Sequence, residues 1–261
     1  MHTTSPNSPV DAAQSGDAIH ATLFGEHKVW ITPESATAGG AWQARDADGK
    51  PASWEPEIVH FFFTEMVGNG ATFYLDIGAN TGNFCLLPSL CPDLGCFAFE
   101  PNPGTVTLLK KNIALNGLNT SVQVYPVALS DTQGTATLKI PASGRDSGLA
   151  CLGNPLRFRD WQEVSVPVTT LDHVLEKKAI TRLDFIKIDT EGCELFVLRG
   201  GMRYIRKFMP SILLEFFSPN TRQFNYDKRE VWELLHGWGY KCKILNRENA
   251  YFTPAAGRAA H

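Results

Sequence analysis

The densest group of residues suited to chemistry lies at 76–82, with the sequence DIGANTG. Glycine at 78 and 82 lets the backbone turn sharply and approach a ligand, because glycine has no Cβ atom. The apolar run before this segment predicts a strand, and the residues after it predict a helix whose first amides are free to bind a polar ligand. Glu100 follows at the end of the next expected strand, where a carboxylate accepts hydrogen bonds from ribose hydroxyls. The spacing predicts a nucleoside-binding site.

The identity of the nucleoside depends on position 80. The dinucleotide fingerprint is G-x-G-x-x-G, and its second glycine admits a pyrophosphate. Here that position is Asn80, and the pattern is D-x-G-x-x-x-G. This form suits a ligand without a pyrophosphate, such as S-adenosylmethionine. A nicotinamide cofactor, or a glycine turn that binds nothing, remains an alternative.

A second group of polar residues, Asp189-Thr190-Glu191-Gly192, follows the apolar run at 183–188. Ligand and catalytic residues of open α/β sheets collect at the carboxyl ends of strands. Methyl transfer to a hydroxyl requires removal of a proton, and Asp189 or Glu191 could act as the general base. The alternative is that both acids only begin the next helix, where the helix dipole favours them.

Strands that alternate with helices indicate βαβ units and a mainly parallel sheet. The near-continuous apolar runs at 72–77, 183–188 and 211–217 are typical of strands that are buried on both faces. Strands are expected at 72–77, 96–99, 122–125, 134–140, 163–168, 183–188, 211–217 and 240–245, and helices at 57–67, 81–90, 103–116, 170–177, 193–199 and 227–235.

Composition places the chain among globular proteins. Its 261 residues are 43% hydrophobic and 20% charged, and 24 basic against 27 acidic residues give a net charge of −3, so a nucleic-acid partner is not expected. No apolar run is long enough to span a membrane, and the first residues lack the features of a secretory signal. The six cysteines form no CxxC pair and are expected to be free thiols, which predicts a reducing, cytoplasmic setting.

Local composition predicts four segments. Residues 1–20 are polar and read as a disordered tail, and 21–55 contain short strand and turn signals that predict a small N-terminal cap. The main domain is expected at 56–254, and 255–261 form a second tail.

The chain resembles the FkbM family of S-adenosylmethionine-dependent methyltransferases over residues 53–246. The matching residues are 74–82 (YLDIGANTG), 99–103 (FEPNP), 109–112 (LKKN), 115–117 (LNG), 127–131 (VALSD), 170–172 (TLD), 183–192 (LDFIKIDTEG), Glu194, 198–200 (LRG), Leu214-Glu215 and Gly239-Tyr240. The resemblance implies a Rossmann-like class I methyltransferase fold: a seven-stranded, mainly parallel sheet with helices on both faces.

The resemblance also implies a cofactor site. It implies that the turn at 76–80 lines the methionine end, that Glu100 holds the ribose and that adenine lies near 128–131. Glu55 could bind the methionine ammonium, or could simply begin a helix before Pro56. The predicted S-adenosylmethionine-binding residues are Glu55, Asp76, Gly78, Ala79, Asn80, Gly82, Asn83, Glu100, Pro101, Asn102, Ala128, Ser130, Asp131 and Asp189.

Two charges, Lys187 and Glu215, interrupt apolar strands that are neighbours in this fold. Neither residue type is buried without a partner, so we expect them to pair across the sheet. The pair is either structural or sets the charge of Asp189 and contacts the acceptor, and both residues therefore join Asp189 and Glu191 as catalytic candidates. These acids could also bind a divalent cation, but they lack a recognisable ligand spacing, and no metal site is predicted.

The segment 141–162 mixes glycines with Arg145, Arg157, Arg159 and Trp161. Loops of this length are usually functional or disordered, and we expect a lid over a small-molecule or glycan acceptor rather than a passive insertion. The predicted function is methyl transfer to a hydroxyl of a sugar or secondary metabolite, with reaction at oxygen resting on the resemblance. The alternatives are an N-methyltransferase, a nicotinamide-dependent oxidoreductase and a non-catalytic nucleoside-binding module. The sequence does not specify the oligomeric state.

Overall fold

The computed structural model describes residues 16–37, 41–143, 147–215 and 218–256. The strands are β1 (Ile19–Phe24), β2 (His27–Ile31), β3 (Ala44–Arg45), β4 (Pro51–Ala52), β5 (Phe73–Ile77), β6 (Gly95–Phe99), β7 (Val122–Tyr125), β8 (Ala128–Leu129), β9 (Gly134–Pro141), β10 (Trp161–Thr169), β11 (Phe185–Ile188), β12 (Ser211–Glu215), β13 (Tyr240–Ile244) and β14 (Asn249–Pro254). The α-helices are α1 (Pro56–Gly68), α2 (Pro103–Leu115), α3 (Leu171–Lys177), α4 (Glu194–Gly200), α5 (Met202–Phe208), α6 (Ser218–Arg222) and α7 (Lys228–Gly237).

The main sheet has seven strands in the order β13-β14-β12-β11-β5-β6-β7. The five strands from β12 to β7 run parallel, and β14 is antiparallel to both of its neighbours, β12 and β13. This confirms the α/β, mainly parallel seven-stranded fold. The sequence analysis did not predict β14, which lies between β12 and β13 and has an apolar run of only three residues, Ala250-Tyr251-Phe252.

The central strands are buried on both faces, as their apolar runs predict. All four residues of β11 are buried. Phe185 packs in one hydrophobic cluster with Phe62 of α1, while Ile186 packs in a second cluster with Leu198 of α4. The central strands therefore hold their carboxyl ends in a rigid frame.

The helix expected at 81–90 is absent from this described part of the chain. Turns follow Asn80, and only the short 3₁₀ helix Leu87–Ser89 forms. Gly82 has φ +113°, which no helix accepts, and Pro88 lacks the N–H that a longer helix would need. The expectation of free amides at an α-helix N-terminus is therefore wrong here, and the ligand-facing turn must act through its own backbone and side chains.

A second, three-stranded sheet has the order β8-β10-β9, with β9 and β10 forming an antiparallel hairpin. Between them lie the short 3₁₀ helix Ser147–Leu149 and a bridge from Cys151 to Lys139. The described part of 141–162 is therefore folded back on β9 rather than extended into solvent.

The N-terminal residues form a four-stranded sheet, β2-β1-β4-β3, as the expected cap. Phe24 and Trp42 belong to the same hydrophobic cluster as Phe62 and Tyr74 of the main body. Asn112 of α2 ties the two parts together, because its Oδ1 accepts from the backbone of Thr32 at 2.9 Å. The cap is thus fixed against the main sheet.

The disordered tail expected at 1–20 extends too far along the chain. Ile19 and His20 belong to β1, because they pair with Ile31 and Trp30 of β2. Residues 1–15 of this predicted tail lie outside the described residues, and so do residues 257–261 of the second one.

Candidate active site

Two adjoining cavities lie at the carboxyl edge of the main sheet. The smaller encloses about 630 Å³ and the larger about 1030 Å³ of empty space. Gly78, Asn80, Gly148, Asp189 and Glu191 line both. The junction lies at the strand ends of β5 and β11, where open α/β sheets bind ligands. The structure thus brings together the two groups of residues that the sequence singled out.

The smaller cavity is mostly apolar, and Glu100 is the one carboxylate in its wall that the larger cavity does not share. Its other lining residues are Ile77, Phe99, Pro101, Val127, Ala128, Leu129, Leu138, Ala150, Cys151, Leu152, Thr190 and Cys193. Such a cavity suits a flat, apolar ring with a few polar groups at its edge. Leu138, Cys151 and Leu152 belong to the β9–β10 hairpin region, and no sequence signal identified them.

Glu100 is held in a fixed orientation. Its Oε2 accepts from the backbone N–H of Asn80 at 3.0 Å, and its Oε1 accepts from that of Asn102 at 2.8 Å. Burial raises the pKa of Glu100 to about 7, against the lowering effect of these two hydrogen bonds. The carboxylate therefore connects the turn after β5 with the end of β6 at the cavity wall.

The turn after β5 requires glycine at 78. Gly78 has φ +80°, and a Cβ atom there would lie 1.7 Å from the carbonyl oxygen of Asp189. The backbone of Asp189 also donates to Ile77 at 3.0 Å. The ends of β5 and β11 are therefore packed in direct contact, which leaves no room for a side chain between them.

Two asparagines present unused acceptors at the larger cavity. The Oδ1 atoms of Asn80 and Asn83 are buried and accept no hydrogen bond, and both residues line this cavity. Asn83 uses its Nδ2 to donate to the carbonyl of Trp54 at 3.0 Å. A buried acceptor without a partner is costly, so a ligand with N–H or O–H donors fits this position.

The larger cavity is rich in carboxylates. Five acidic side chains, Glu55, Asp189, Glu191, Glu215 and Glu248, line it together with two basic ones, Lys187 and Arg157. The remaining residues specific to this cavity are Ala41, Gln43, Trp54, Ala79, Asn83, Phe84 and Leu149. The N-terminal sheet region and the β9–β10 loop therefore both contribute walls.

Lys187 is almost fully buried and has different ion-pair partners from the one expected. Its Nζ lies 3.2 Å from Oδ2 of Asp189 and 3.7 Å from Oδ1 of Asp76. The prediction that Lys187 pairs with Glu215 is wrong, since this pair is not among the ion pairs of the described residues. The register explains the difference, because it places Lys187 opposite Asp76 on β5 and opposite Leu213 on β12. Burial alone would lower the pKa of Lys187, but these carboxylates together raise it.

Asp76 lies below the cavities and lines neither of them, in contrast to its expected place at the methionine end. It is 0% exposed, and neither carboxylate oxygen accepts a hydrogen bond. Burial raises the pKa of Asp76 to about 6, although Lys187 opposes the rise. The structure therefore gives Asp76 the position of a countercharge for Lys187 rather than of a ligand-contacting residue.

Glu191 is the most perturbed carboxylate at the junction. Its backbone has φ +54°, and its Oε2 accepts a hydrogen bond from Nδ2 of Asn220. Arg157 approaches it to 3.9 Å. Burial, with the neighbouring charge of Asp189, raises the pKa of Glu191 to about 8. Such a group can exchange a proton near neutral pH.

Glu194 holds the backbone that carries Asp189 and Glu191. Its buried Oε1 accepts from the backbone N–H groups of Thr190 and Gly192 and from the Thr190 hydroxyl, at 2.9–3.1 Å. The Tyr226 hydroxyl lies 2.9 Å from its Oε2. The sequence analysis assigned this residue no role, although an acid inside the apolar helix run ELFVL was a usable signal.

Glu55 lies at the larger cavity rather than capping a helix. It is the residue before α1, but its side chain makes no capping hydrogen bond. Instead, Asn249 Nδ2 donates to its Oε2 at 2.9 Å and Asn246 Nδ2 donates to its Oε1 at 3.2 Å. Burial raises the pKa of Glu55. The side chain of Glu55 therefore lies at the larger cavity and does not cap α1.

Glu215 also lines the larger cavity. Burial, together with the charge of Asp189, raises its pKa well above the ordinary value, and Lys187 opposes this rise. Glu215 is therefore a candidate proton carrier at the wall rather than an ion-pair partner.

Several expected cofactor residues lie outside the lining of both cavities. Besides Asp76, the described residues in this group are Gly82, Asn102, Ser130 and Asp131. Asn102 instead caps α2 by accepting from Gly104 at 3.1 Å, and the backbone at Ser130 is covered by Gly200. By contrast, Ala79, Pro101 and Ala128 do line a cavity.

Of the three described side chains singled out in the expected lid, Arg157, Arg159 and Trp161, only one lines a cavity. Arg157 lines the larger cavity, whereas the exposed Arg159 and Trp161 do not. Arg145 lies outside the described residues. Only part of the expected lid therefore reaches the site.

This sheet order and the site at the carboxyl ends of β5, β6 and β11 define a class I methyltransferase. The fold is similar to a crystal structure from Staphylococcus aureus with a provisional assignment as a caffeoyl-CoA O-methyltransferase, with a TM-score of 0.50, 12% identity and coverage of 76% of this chain and 83% of that one. Residues 76–242 match the sequence model of the methyltransferase FkbM domain. The chain belongs to the FkbM methyltransferase family and is an S-adenosylmethionine-dependent methyltransferase.

Characterised relatives are also methyltransferases. The methyltransferase sdnD of Sordaria araneosa is 27% identical over 208 residues, which cover 70% of this chain and 77% of that protein. The hexuronic acid methyltransferase AglP of Haloferax volcanii is 23% identical over 216 residues, covering 77% and 71%. A solved FkbM methyltransferase from Methylobacillus flagellatus has a TM-score of 0.48 and 16% identity. That match covers 76% of this chain and 50% of the other.

The residues of the site fit S-adenosylmethionine. The apolar smaller cavity with Glu100 at its wall suits a nucleoside, and the unused acceptors of Asn80 and Asn83 suit an ammonium group. No helix among the described residues has the length and apolar character needed to cross a membrane.

Proposed function

We propose that this enzyme transfers the methyl group of S-adenosylmethionine to a hydroxyl oxygen of a sugar or secondary metabolite. The observation that carries the proposal is the junction of the two cavities, where Asp189 and Glu191 lie beside Gly78 and Asn80. The nucleoside would occupy the smaller cavity and the acceptor the larger one. When bound, S-adenosylmethionine supplies an electrophilic methyl group on its sulfonium.

The residues proposed to hold the cofactor are those with suitable partners at the walls. Glu100 would accept from the ribose hydroxyls, and its orientation is already fixed by two backbone N–H groups. Asn80, Asn83 and Glu55 would accept from the methionine ammonium. A preformed set of acceptors of this kind reduces the entropy lost on binding.

Glu191 is the proposed general base that takes the acceptor's proton. Asp189 accepts a hydrogen bond from Lys187 at 3.2 Å, so its charge is already balanced by a close cation. Glu191 faces a more distant cation, Arg157, at 3.9 Å, and its pKa is raised to about 8. A carboxylate with a raised pKa is the stronger base once it is ionised.

The acceptor class follows from the chemistry of the larger cavity. Besides Glu55, which is assigned to the cofactor, four acidic side chains provide hydrogen-bonding groups that suit a molecule with several hydroxyl groups. The substrate named for the Haloferax relative is a hexuronic acid. Once Glu191 is ionised, above about pH 8, the negative charge of this cavity disfavours such an acid. A nitrogen acceptor is the second candidate, and product analysis separates the two.

The test is methyl transfer from labelled S-adenosylmethionine to a panel of glycosides and polyketides, with Glu191→Gln as the variant. Turnover by the wild type should rise with pH through about 8, as Glu191 loses its proton. The variant should lose about 10²- to 10⁴-fold in kcat and lose that pH dependence, since general base catalysis is worth this much. S-adenosylmethionine affinity, measured by calorimetry, should change little.

Glu26→Gln is the matched control, because Glu26 is exposed in the turn between β1 and β2. Unchanged turnover and an unchanged pH profile in Glu191→Gln would rule out the assignment of the base. Methylation at nitrogen in the product would rule out the oxygen acceptor.

The proposal also includes a cytoplasmic site of action. All six cysteines are free thiols, including the exposed Cys242. Free thiols of this kind persist in reducing compartments.

A further inference from the structure

We propose that Trp54 is the platform on which the acceptor binds, and that the acceptor is a hydroxyl-rich ring without a negative charge. This inference rests on the proposed function, and it names the acceptor class of the larger cavity. Trp54 combines two properties. The residue is 54% exposed and lines the larger cavity, and its backbone is fixed by hydrogen bonds.

The backbone of Trp54 makes hydrogen bonds to several parts of the fold. Its N–H donates to the carbonyl of Ala41 at 2.8 Å. Its carbonyl accepts from Asn83 Nδ2 and from the Ser53 hydroxyl, each at 3.0 Å. Trp54 is therefore not part of a frayed segment, and the position of its backbone is set before any ligand binds.

The next residue strengthens this conclusion. Glu55 adopts φ +50°, a left-handed conformation that is costly for a residue with a side chain. It persists because Asn249 and Asn246 hold the carboxylate, while Pro56 begins α1 immediately afterwards. Strain held in this way clusters at binding sites. The Trp54-Glu55 pair is thus a rigid element that presents an aromatic face next to a carboxylate.

Above about pH 8, where Glu191 is ionised, the charges of the cavity disfavour an anionic ring. Of the two cations that line it, Lys187 is engaged by Asp76 and Asp189, and Arg157 faces Glu191. Glu248 adds a further carboxylate and Gln43 an amide, whereas the raised pKa of Glu215 favours its protonated form. An acid entering this cavity would meet a surplus of carboxylates, whereas ring hydroxyls would donate to them.

The combination therefore defines the ligand chemistry. An aromatic face packs well against the apolar C–H face of a ring, while the acceptors around it engage the ring's hydroxyls. A preformed aromatic surface gains contact area with little loss of side-chain entropy.

The experiment is saturation-transfer difference NMR at about pH 9, where Glu191 is mainly ionised, on the full-length protein with bound S-adenosylhomocysteine. The probes are the neutral methyl glycosides of glucose, galactose, mannose and rhamnose, and the methyl glycosides of glucuronic and galacturonic acid as their charged counterparts. We expect at least one neutral glycoside to bind, with at least about 10-fold higher affinity than its uronic counterpart, a difference of about 1.4 kcal/mol.

Trp54→Ala should weaken binding of that glycoside by at least about 10-fold, and Trp54→Phe should restore most of it, because phenylalanine keeps an aromatic face. The matched control is Trp161→Ala, since Trp161 is 40% exposed and lines neither cavity. S-adenosylhomocysteine affinity and the melting temperature should be unchanged in all three variants.

Three outcomes would overturn the proposal: no neutral glycoside binds the wild type, a uronic glycoside binds as tightly as its neutral counterpart, or Trp54→Ala binds like the wild type. These outcomes are separable from failure of the proposed function. Failure to bind S-adenosylhomocysteine, or methylation only at nitrogen, would contradict the function itself.

Discussion

Replacing Lys187 by methionine tests the charge arrangement beneath the site. Methionine keeps most of the side-chain volume but removes the cation from between Asp76 and Asp189. Asp189 keeps contact with solvent, with its side chain 31% exposed. Asp76 does not, because it is 0% exposed and its oxygens accept no hydrogen bond. The cost should therefore arise mainly at Asp76.

The expected loss of unfolding free energy at pH 8 is about 3–5 kcal/mol, the usual result of leaving one partner of a buried pair uncompensated. Even beside Lys187, the rise of the Asp76 pKa from 3.8 to about 6 corresponds to about 3 kcal/mol at this pH. Without the lysine, that pKa should rise further. That cost is already present in the wild type, so the loss in Lys187→Met arises from the further rise and from the lost contact with Asp189.

The sign of the pH dependence follows from the same pKa. A carboxyl group whose folded-state pKa is raised binds its proton more tightly in the folded state, so stability falls as pH rises from 3.8 through 6. Below pH 6, Asp76 is mainly protonated even in the wild type, and the lysine has less charge to balance. The difference between Lys187→Met and the wild type should therefore be larger at pH 8 than at pH 5.

The assay is urea unfolding at pH 5 and pH 8. Lys111→Met, on the exposed face of α2, is the control and should stay within about 0.5 kcal/mol of the wild type. The double variant Asp76→Asn with Lys187→Met should recover more than half of the loss, because no charge is left unpaired. A loss below about 1 kcal/mol at pH 8, or an equal loss at both pH values, would refute the reasoning.

Three further predictions concern the cofactor side and the loop after β11. Glu100→Ala should weaken S-adenosylmethionine binding by about 1.5–3 kcal/mol in calorimetry, and unchanged affinity would remove its ribose role. Gly78→Ala should lower the melting temperature, because its Cβ would lie 1.7 Å from the Asp189 carbonyl oxygen; an unchanged melt would contradict this contact. Glu194→Gln should lower kcat and alter its pH profile with little change in cofactor affinity, whereas Tyr226→Phe should do so less; equal kinetics in both would contradict a positioning role for Glu194.

Local sequence predicted which strand ends meet at the candidate site. The apolar run of β5 ends at Gly78, and that of β6 ends at Glu100, so both residues had to emerge at the same edge of a parallel sheet. The same reasoning placed Asp189 and Glu191 beyond β11. These positions follow from strand ends alone, which is why one sequence was sufficient.

The errors concern features that depend on register and on contacts distant in sequence. Lys187 was assigned to Glu215 because their strands are neighbours, but the register puts Asp76 of β5 opposite Lys187. Ser130 follows β8 in sequence, yet Gly200 covers its backbone. Trp54 and Glu248 line the larger cavity although they are distant from each other in the chain. No local sequence pattern predicts that such segments meet.

The buried charges beneath the site serve the site more than the fold. Replacing a buried ion pair by uncharged residues of similar volume is often neutral or stabilising, so the pair of Lys187 and Asp76 is not needed to hold the sheet together. Lys187 also donates to Asp189 at 3.2 Å and to the Gly78 carbonyl at 3.1 Å, and both residues line the cavity junction. The double variant Asp76→Asn with Lys187→Met should therefore fold while losing these two contacts. If it retains full turnover, Lys187 is only structural; a folded double variant with reduced turnover supports its role in positioning Asp189.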